Sequence, residues 1–249
     1  MTVIRHDGTF DGLLCALDEA LRSGGDGVAP AEEGLRLFSR TVDSDGERAR
    51  RFAESLARAS SGEVLRRLLL ASLSSTPCGD GLFVAYCRRA FAVGEAVLGD
   101  HGDPSVRAVE GLARSVGVEA HRLTGFLRFS FRETFWYAPC EPDHDVLPLL
   151  GRHFARRFPD DDRIVHDLRR ERSALCRGGL WKIVPLARSA SLPDENEPGF
   201  ARLWQIYFAA TTNGTRRNEK LQRSRMPRRY WKHLVEDPGG TAPEGGESL

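Results

Sequence analysis

The spacing of apolar residues predicts a first half that is mainly helical. Residues 3–5 form a short candidate strand, a turn follows at His6-Asp7-Gly8, and apolar positions then recur at helical spacing over residues 10–23. Thr9 or Asp7 is available as an N-cap for this helix. The glycines and proline of residues 24–30 predict a loop. Further helices are predicted over residues 46–60, 62–73, 81–99 and 104–116.

The period of the pattern changes near residue 118 from about 3.6 to about 2. In residues 122–132, apolar positions alternate with polar ones, which predicts a strand with an apolar face and a face that carries arginines. The cationic residues on that second face are Arg122, Arg128 and Arg132. The aromatic residues at 134–138 predict a second strand that pairs with the first as a hairpin.

The rest of the chain predicts one helix, two more strands and a helical end. Asp143 or Asp145 is placed to cap a helix through Phe158, and residues 163–168 and 180–186 read as strands. We expect an α+β fold in which a helical N-terminal half packs on a small antiparallel sheet, ordered strand-strand-helix-strand-strand. C-terminal helices, one over residues 198–211 and one opened by Met226-Pro227, are expected to close it.

The same pattern predicts how the chain is divided. Residues 1–117 form a mainly helical region with a short N-terminal strand, and residues 118–236 form the α+β region with a basic helical arm. Residues 237–249 have the composition of a disordered tail. We expect residues 1–236 to form one compact unit, which suits a chain of 249 residues.

Composition narrows the class of protein. With 41% hydrophobic residues the chain can bury a core, and it contains no apolar run of the roughly 20 residues that a membrane span needs. The first residues contain no apolar stretch of signal-peptide length, so we expect a cytoplasmic protein without a membrane partner. The five cysteines show no paired CxxC spacing, so we expect neither a metal site nor a cofactor.

The strongest charge asymmetry lies in residues 214–234, here called the basic arm. Six arginines and two lysines face one carboxylate, Glu219, so the arm carries 8 − 1 = +7 in a chain whose net charge is +1. This excess favours a polyanionic partner, although a solvated helix face is the alternative. Tyr230 and Trp231 could stack on bases. The predicted nucleic-acid-binding residues are Arg122, Arg128, Arg132, Arg169, Lys220, Arg223, Arg225, Arg228, Arg229, Tyr230 and Trp231.

An acidic cluster offers the main catalytic alternative. The run Glu141-Pro142-Asp143-His144-Asp145 combines carboxylates with an imidazole, which could ligate a metal or act as a general base. The candidate catalytic residues are Asp143, His144 and Asp145. The alternative is structural: the two aspartates cap the following helix and His144 is solvated.

Two other polar motifs have structural interpretations. His166 and Asp167 point to opposite sides of a strand, so adjacency does not make them a catalytic dyad, and Asp167 is expected to pair with Arg122 or Arg128. Residues 6–12 lack the spacing of a phosphate-binding loop and predict a tight turn with an aspartate cap.

Several blocks of the sequence carry a resemblance. They are HDGTFDGLLCAL, HRLTGFLRFSFRE, YAPCEPDHDVLPLLGRHFARRFPD, HDLRRERSAL and LQRSRMPRRYWKHL. In this order they resemble an uncharacterised bacterial family of DNA metabolism or repair proteins. Its members are encoded beside a radical-SAM protein, and beside or fused to a domain of the uracil-DNA glycosylase superfamily. The resemblance implies DNA, a uracil-DNA-glycosylase-like protein and a radical-SAM protein as partners. This chain lacks the CxxxCxxC triplet of radical-SAM enzymes.

Three classes of function remain open from the sequence. The leading one is a DNA-binding accessory protein of DNA repair that acts with such a partner. The second is a DNA- or nucleotide-processing enzyme that uses the cluster at residues 143–145. The third is a protein–protein adaptor whose basic surface meets an acidic partner.

Overall fold

A computed structural model describes residues 2–31, 39–132, 134–190 and Tyr230. The fold is α+β, which confirms the predicted class. The chain forms two compact units, Met1–Val118 and Glu119–Leu249, and each is described by itself below.

The first unit contains a small parallel sheet. Strand β1, Val3–His6, lies between β2, Gly27–Pro30, and β3, Ser39–Thr41, and pairs in parallel with both. The prediction of a loop over residues 24–30 is therefore wrong for its second half. A Cβ at Gly27 would lie 2.7 Å from the Asp80 Cβ, so this strand approaches the neighbouring backbone as only glycine allows.

Helix α1, Phe10–Ser23, begins where the sequence predicts. The Thr9 hydroxyl accepts a hydrogen bond from the Gly12 amide at 3.0 Å, and the Asp7 carboxylate accepts one from the Thr9 amide at 3.0 Å. These bonds satisfy N–H groups that a helix start leaves without partners. They confirm the tight turn with an aspartate cap.

Four more helices follow in the described part of the chain before the second sheet begins. They are α2, Gly46–Ala59; α3, Gly62–Ser72; α4, Leu82–Val93; and α5, Pro104–Phe126. The predicted helix over residues 81–99 ends early because Gly94 adopts a positive φ of 65°, after which a 3-10 turn runs over Gly94–Gly99.

Helix α5 corrects the predicted change of period near residue 118. It continues to Phe126, so Arg122 lies on a helix and the predicted strand over residues 122–132 is reduced to β4, Ser130–Arg132. The buried apolar positions of α5 are spaced three and four residues apart, as expected for one helix face. They are Val106, Val109, Ala113, Val116, Ala120 and Leu123.

The second unit contains a five-stranded sheet in the order β4-β5-β6-β7-β8. After β4 its strands are β5, Phe135–Cys140; β6, Arg163–Asp167; β7, Arg172–Arg177; and β8, Leu180–Pro185. The β4–β5 hairpin and the strands corresponding to β6 and β8 were predicted, but β7 was not. The expectation of a fully antiparallel sheet is wrong for one pair, because β5 and β6 run in parallel.

The parallel pair follows from the helix between its strands. Helix α6, Leu147–Arg157, makes the crossover that two parallel strands require. The helix lies close to the sheet at Gly151, where a Cβ would come within 2.9 Å of the Trp181 ring and 3.0 Å of the Ala174 Cβ. Gly178 and Gly179, with φ of 59° and 73°, form the turn between β7 and β8.

Two further predictions concern membranes and the C-terminal helices. In the ranges that the structure describes, every helix is too short or too polar to cross a lipid bilayer. The predicted helix over residues 198–211, the closing helix after Met226 and the basic arm lie outside the described residues, apart from Tyr230.

Candidate functional site

The acidic loop, residues 141–145, connects β5 to α6 in the second unit. Cys140 at the end of β5 pairs with Asp167 at the end of β6. The carboxyl ends of parallel strands meet at the same edge of a sheet, so the loop lies beside the turn at residues 168–171 that leads into β7. An acidic segment and an arginine-rich segment that are separated in the sequence by α6 and β6 are thereby brought together.

Each acidic side chain of the loop forms an ion pair with an arginine that lies after β6 in the chain: Arg169 in the turn before β7, Arg172 on β7 and Arg188 after β8. The pairs are Glu141 with Arg188 at 2.9 Å, Asp143 with Arg169 at 3.1 Å, and Asp145 with Arg172 at 2.6 Å. Asp143 is the most exposed of the three acidic side chains, at 43%, and its partner Arg169 is 57% exposed. Because both side chains are exposed, this pair contributes little to stability. The cluster is a set of ion pairs that joins the loop to the strands beside it.

Asp167 forms the buried centre of this arrangement. Its side chain is fully buried, accepts hydrogen bonds from the Arg169 and Arg170 amides at 3.0 and 3.1 Å, and pairs with the Arg170 guanidinium at 3.0 Å. Arg170 also donates to the carbonyls of Pro142 and Asp143 at 3.2 and 2.5 Å. The prediction that Asp167 pairs with Arg122 or Arg128 is wrong, because its partner is three residues away.

Glu119 holds the other side of the acidic loop and was missed by the sequence reasoning. It is 3% exposed and accepts hydrogen bonds from the amides of Asp143 at 2.9 Å and His144 at 2.7 Å. The Tyr230 hydroxyl donates a third hydrogen bond at 2.6 Å. Burial raises the pKa of Glu119, but these three donors outweigh it and the net pKa is lowered. Glu119 is therefore a buried carboxylate that stays ionised at neutral pH.

Tyr230 belongs to the basic arm but is not an exposed stacking surface. It is 3% exposed, and its ring centroid lies 6.0 Å from that of Phe126 at an interplanar angle of 45°. Because the ring is enclosed and the hydroxyl is bound to Glu119, the prediction that Tyr230 stacks on bases is corrected. Its position attaches the arm to the second unit at this residue.

His166 is also buried, in a hydrogen-bonded pair with Tyr137. The Tyr137 hydroxyl lies 2.7 Å from the His166 Nδ1, and the His166 Nε2 lies 3.1 Å from the Leu186 carbonyl. A carbonyl can only accept, so Nε2 carries the proton and Nδ1 accepts from the tyrosine. Burial lowers the pKa of His166, which keeps the ring neutral. Both ring nitrogens are satisfied, as expected for a structural histidine.

The predicted cationic face is not assembled as one strand surface. Arg122 lies on α5, Arg128 follows that helix and donates to the Gly125 carbonyl at 2.9 Å, and Arg132 lies on β4. Arg169 faces Asp143. The remaining predicted contacts lie outside the described residues: Lys220, Arg223, Arg225, Arg228, Arg229 and Trp231.

The geometry gives the catalytic candidates structural partners. Asp143 and Asp145 do not cap α6, whose N-cap is Val146 without a side-chain cap bond, and His144 is buried at 8% exposure instead of solvated. Each aspartate is paired through one oxygen with an arginine, which favours the ionised form of the carboxylate and makes it a weaker base. The second oxygen of Asp145, Oδ1, is buried and has no hydrogen-bond partner among the residues that the structure describes. Within the described ranges, no group of three or more histidine, cysteine, aspartate or glutamate side chains is placed to hold a metal.

Comparison with protein-family models shows the family to which the chain is similar. The model of the family DUF4130, described as a domain of unknown function, matches residues 79–236. The matched region contains Glu119, the acidic loop and the basic arm. No curated protein and no solved structure matches the chain.

Proposed function

The chain belongs to the DUF4130 family, and we propose that it is a DNA-binding accessory protein of DNA repair or metabolism. Its partners in this proposal are a uracil-DNA-glycosylase-like protein and a radical-SAM protein, as the family resemblance implies. We place it in the cytoplasm, where both would meet DNA. The proposal rests on the residues of the basic arm and on the place where Tyr230 attaches it.

The single observation that carries the proposal is an unbalanced cationic segment with a buried anchor. The arm has eight cationic residues and one carboxylate, while Tyr230 within it is buried against Glu119 and Phe126. Arg228 and Arg229 directly precede the anchor and Lys232 follows it closely. A segment that is already attached to the protein loses less conformational entropy on binding DNA than a free segment does. Its contacts with phosphate groups therefore carry a smaller entropic penalty.

Charge balance separates the arm from the acidic loop. In the loop, arginines and carboxylates are matched, and their charges are used within the protein. The arm has six arginines whose forks suit phosphate oxygens, with Glu219 as its one acidic side chain. An excess of positive charge of this kind favours binding to the phosphodiester backbone of DNA, which does not depend on the base sequence.

The ion pairs of the acidic loop also bear on the choice between an enzyme and an accessory protein. An enzyme that used Asp143 or Asp145 as a base would rely on a carboxylate whose ion pair with Arg169 or Arg172 favours the ionised form and so makes it a weaker base. The accessory role is therefore the function that the geometry supports best.

The test is direct binding of labelled DNA to the full-length chain, measured by fluorescence anisotropy. We expect single- or double-stranded DNA to bind, and we expect the triple variant Arg225→Ala, Arg228→Ala, Arg229→Ala to bind much more weakly. A matched control removes three arginines elsewhere, Arg50→Ala, Arg58→Ala and Arg114→Ala, and should bind as the wild type does. Polyglutamate is the competing partner: tight binding of polyglutamate with none of DNA would favour an adaptor and refute the proposal.

A further inference from the structure

The first unit contains a cavity of about 750 Å³ at which three helices meet. Helix α1 contributes Arg22, α2 contributes Arg48 and Arg51, and α4 contributes Arg88. On α2 the lining positions recur at helical spacing, so one continuous face of that helix is turned toward the cavity. Its size falls within the range of small-molecule sites, which is roughly 300–1,000 Å³.

The four arginines outnumber the acidic side chain in the lining. Asp18 is the one carboxylate among the lining residues, so the lining carries 4 − 1 = +3. Asp18 pairs with Arg22 at 2.8 Å and with Arg48 at 2.7 Å. Arg48 also pairs with Glu19 at 2.9 Å, which fixes its guanidinium from two sides. The Arg48 side chain is thus a fixed positive charge in the lining of the cavity.

The other two arginines retain more capacity to bind a ligand. Arg51 lies 3.7 Å from Glu47, and both side chains are about two-thirds exposed, so this pair is weak. Arg88 is exposed and donates from Nη2 to the Gly25 carbonyl at 2.8 Å, which orients its guanidinium. The remaining N–H groups of an arginine fork suit the oxygens of a phosphate group.

An aromatic pair completes the lining. Phe52 and Phe91 are arranged edge to face, with ring centroids 6.1 Å apart and an interplanar angle of 64°. Phe52 is buried, whereas Phe91 is 38% exposed, although it is a large apolar side chain. A partly exposed ring in a cavity walled by arginines is suited to a ligand that has both an anionic and a flat apolar part.

We propose that this cavity binds a nucleotide unit, with its phosphate at Arg51 and Arg88 and its base against Phe91. The unit is either a free nucleotide or an unstacked nucleotide of a single strand, because both present a phosphate beside a planar base. Most of the lining lies before residue 79, where the match to the family begins. The site does not depend on the basic arm, so its failure would leave the proposed function intact.

The first test uses deoxyadenosine monophosphate and inorganic phosphate as probes, measured by calorimetry on the full chain. The double variant Arg51→Ala, Arg88→Ala should weaken binding of the nucleotide by about tenfold or more, because each arginine supplies a charge-assisted hydrogen bond. Arg50→Ala, Arg58→Ala is the matched control on α2 and should leave the affinity unchanged. Both arginines of the test variant are exposed, so the fold should be retained, which circular dichroism checks.

A second variant tests the base. Phe91→Leu should weaken binding of the nucleotide several-fold and leave binding of inorganic phosphate unchanged. Phosphate that binds as tightly as the nucleotide would overturn the assignment to a nucleotide. Absence of nucleotide binding, or equal weakening by the control variant, would overturn the site itself.

The two sources of the ligand are distinguished in a chain that carries the triple arm substitution. A short single-stranded deoxyadenosine oligonucleotide is compared there with the mononucleotide. Tighter binding of the oligonucleotide, again lost in Arg51→Ala, Arg88→Ala, assigns a nucleotide within a strand. Tighter binding of the mononucleotide assigns a free nucleotide.

Discussion

Replacement of Tyr230 by phenylalanine removes one hydroxyl and keeps the buried ring. The hydroxyl donates at 2.6 Å to the ionised carboxylate of Glu119, which is 3% exposed. A hydrogen bond to a charged group contributes roughly 1.5–3 kcal/mol. We therefore expect Tyr230→Phe to lower the free energy of unfolding by about 1.5–3 kcal/mol, or the melting temperature by about 3–12 °C for a chain of this size.

A second tyrosine provides the matched comparison. Tyr137 is equally buried, but its hydroxyl donates to the neutral His166 ring at 2.7 Å. A hydrogen bond between neutral groups contributes roughly 0.5–1.5 kcal/mol, so Tyr137→Phe should cost less. Urea denaturation of both variants at neutral pH measures the difference. A cost for Tyr230→Phe no greater than that for Tyr137→Phe would refute the role of Glu119 as a charged acceptor.

The same substitution has a dependence on pH with a defined sign. Folding lowers the pKa of Glu119. Its contribution to stability is therefore complete above the pKa that Glu119 has in the unfolded chain, and it is lost as the pH falls through the pKa of Glu119 in the folded protein. Removal of the tyrosine donor raises the pKa of Glu119 in the folded state, so Glu119 is protonated at a higher pH in the variant than in the wild type. We expect the stability gap between wild type and Tyr230→Phe to narrow as the solution is acidified. A gap that widens on acidification would contradict this assignment.

Other substitutions test the remaining structural assignments. Gly151→Ala should destabilise the protein by about 1–3 kcal/mol because its Cβ would meet the Trp181 ring at 2.9 Å, whereas Gly111→Ala, in open space on α5, should stabilise it by up to about 1 kcal/mol in thermal denaturation. Asp167→Ala should cost about 3–5 kcal/mol in urea denaturation, because it leaves the Arg170 charge without its buried partner. Because folding lowers the pKa of His166, its neutral ring should contribute stability that is complete above the ordinary histidine pKa of 6.5 and is lost as the pH falls below 6.5. His166→Gln should flatten that dependence, and an unchanged slope would exclude His166 as its source.

The helices of the first half could be predicted because each has a clear apolar period, and α1 and α2 also have a side-chain cap at their first turn. Helix α1 begins at the residue expected from Thr9 and Asp7. The end of α5 could not be placed because residues 122–132 satisfy two patterns at once. Alternation of apolar and polar residues suggests a strand, but the buried stripe of α5 continues at spacings of three and four through Leu123.

Strands β2, β3 and β7 were missed for a different reason. β2 and β3 are only four and three residues long, and β7 shows no clear alternation of apolar and polar residues, so the pairing of each strand is set by its neighbours in the sheet. β7 begins after Glu171, a non-glycine residue with a positive φ of 50°, so no glycine or proline marks the turn before it.

The acidic loop shows what residue types alone can and cannot reveal. The run at residues 141–145 was identified as a site, but its partners come from β7 and the segments around it, which the sequence did not place beside the loop. Glu119 and Tyr230 are 111 positions apart, and no local pattern links them. The sequence therefore located the cluster, and tertiary contacts decided that its charges are used internally.

The salt dependence of DNA binding tests the central claim most directly. Each phosphate contact releases counterions, so the logarithm of affinity falls linearly with the logarithm of salt concentration, with a slope of about −0.9 per contact on duplex DNA. Replacing Arg225, Arg228 and Arg229 together should reduce the magnitude of that slope by roughly 2 to 3, while the Arg50, Arg58 and Arg114 control leaves it unchanged. An unchanged slope in the arm variant would contradict the claim that the basic arm contacts the phosphate backbone.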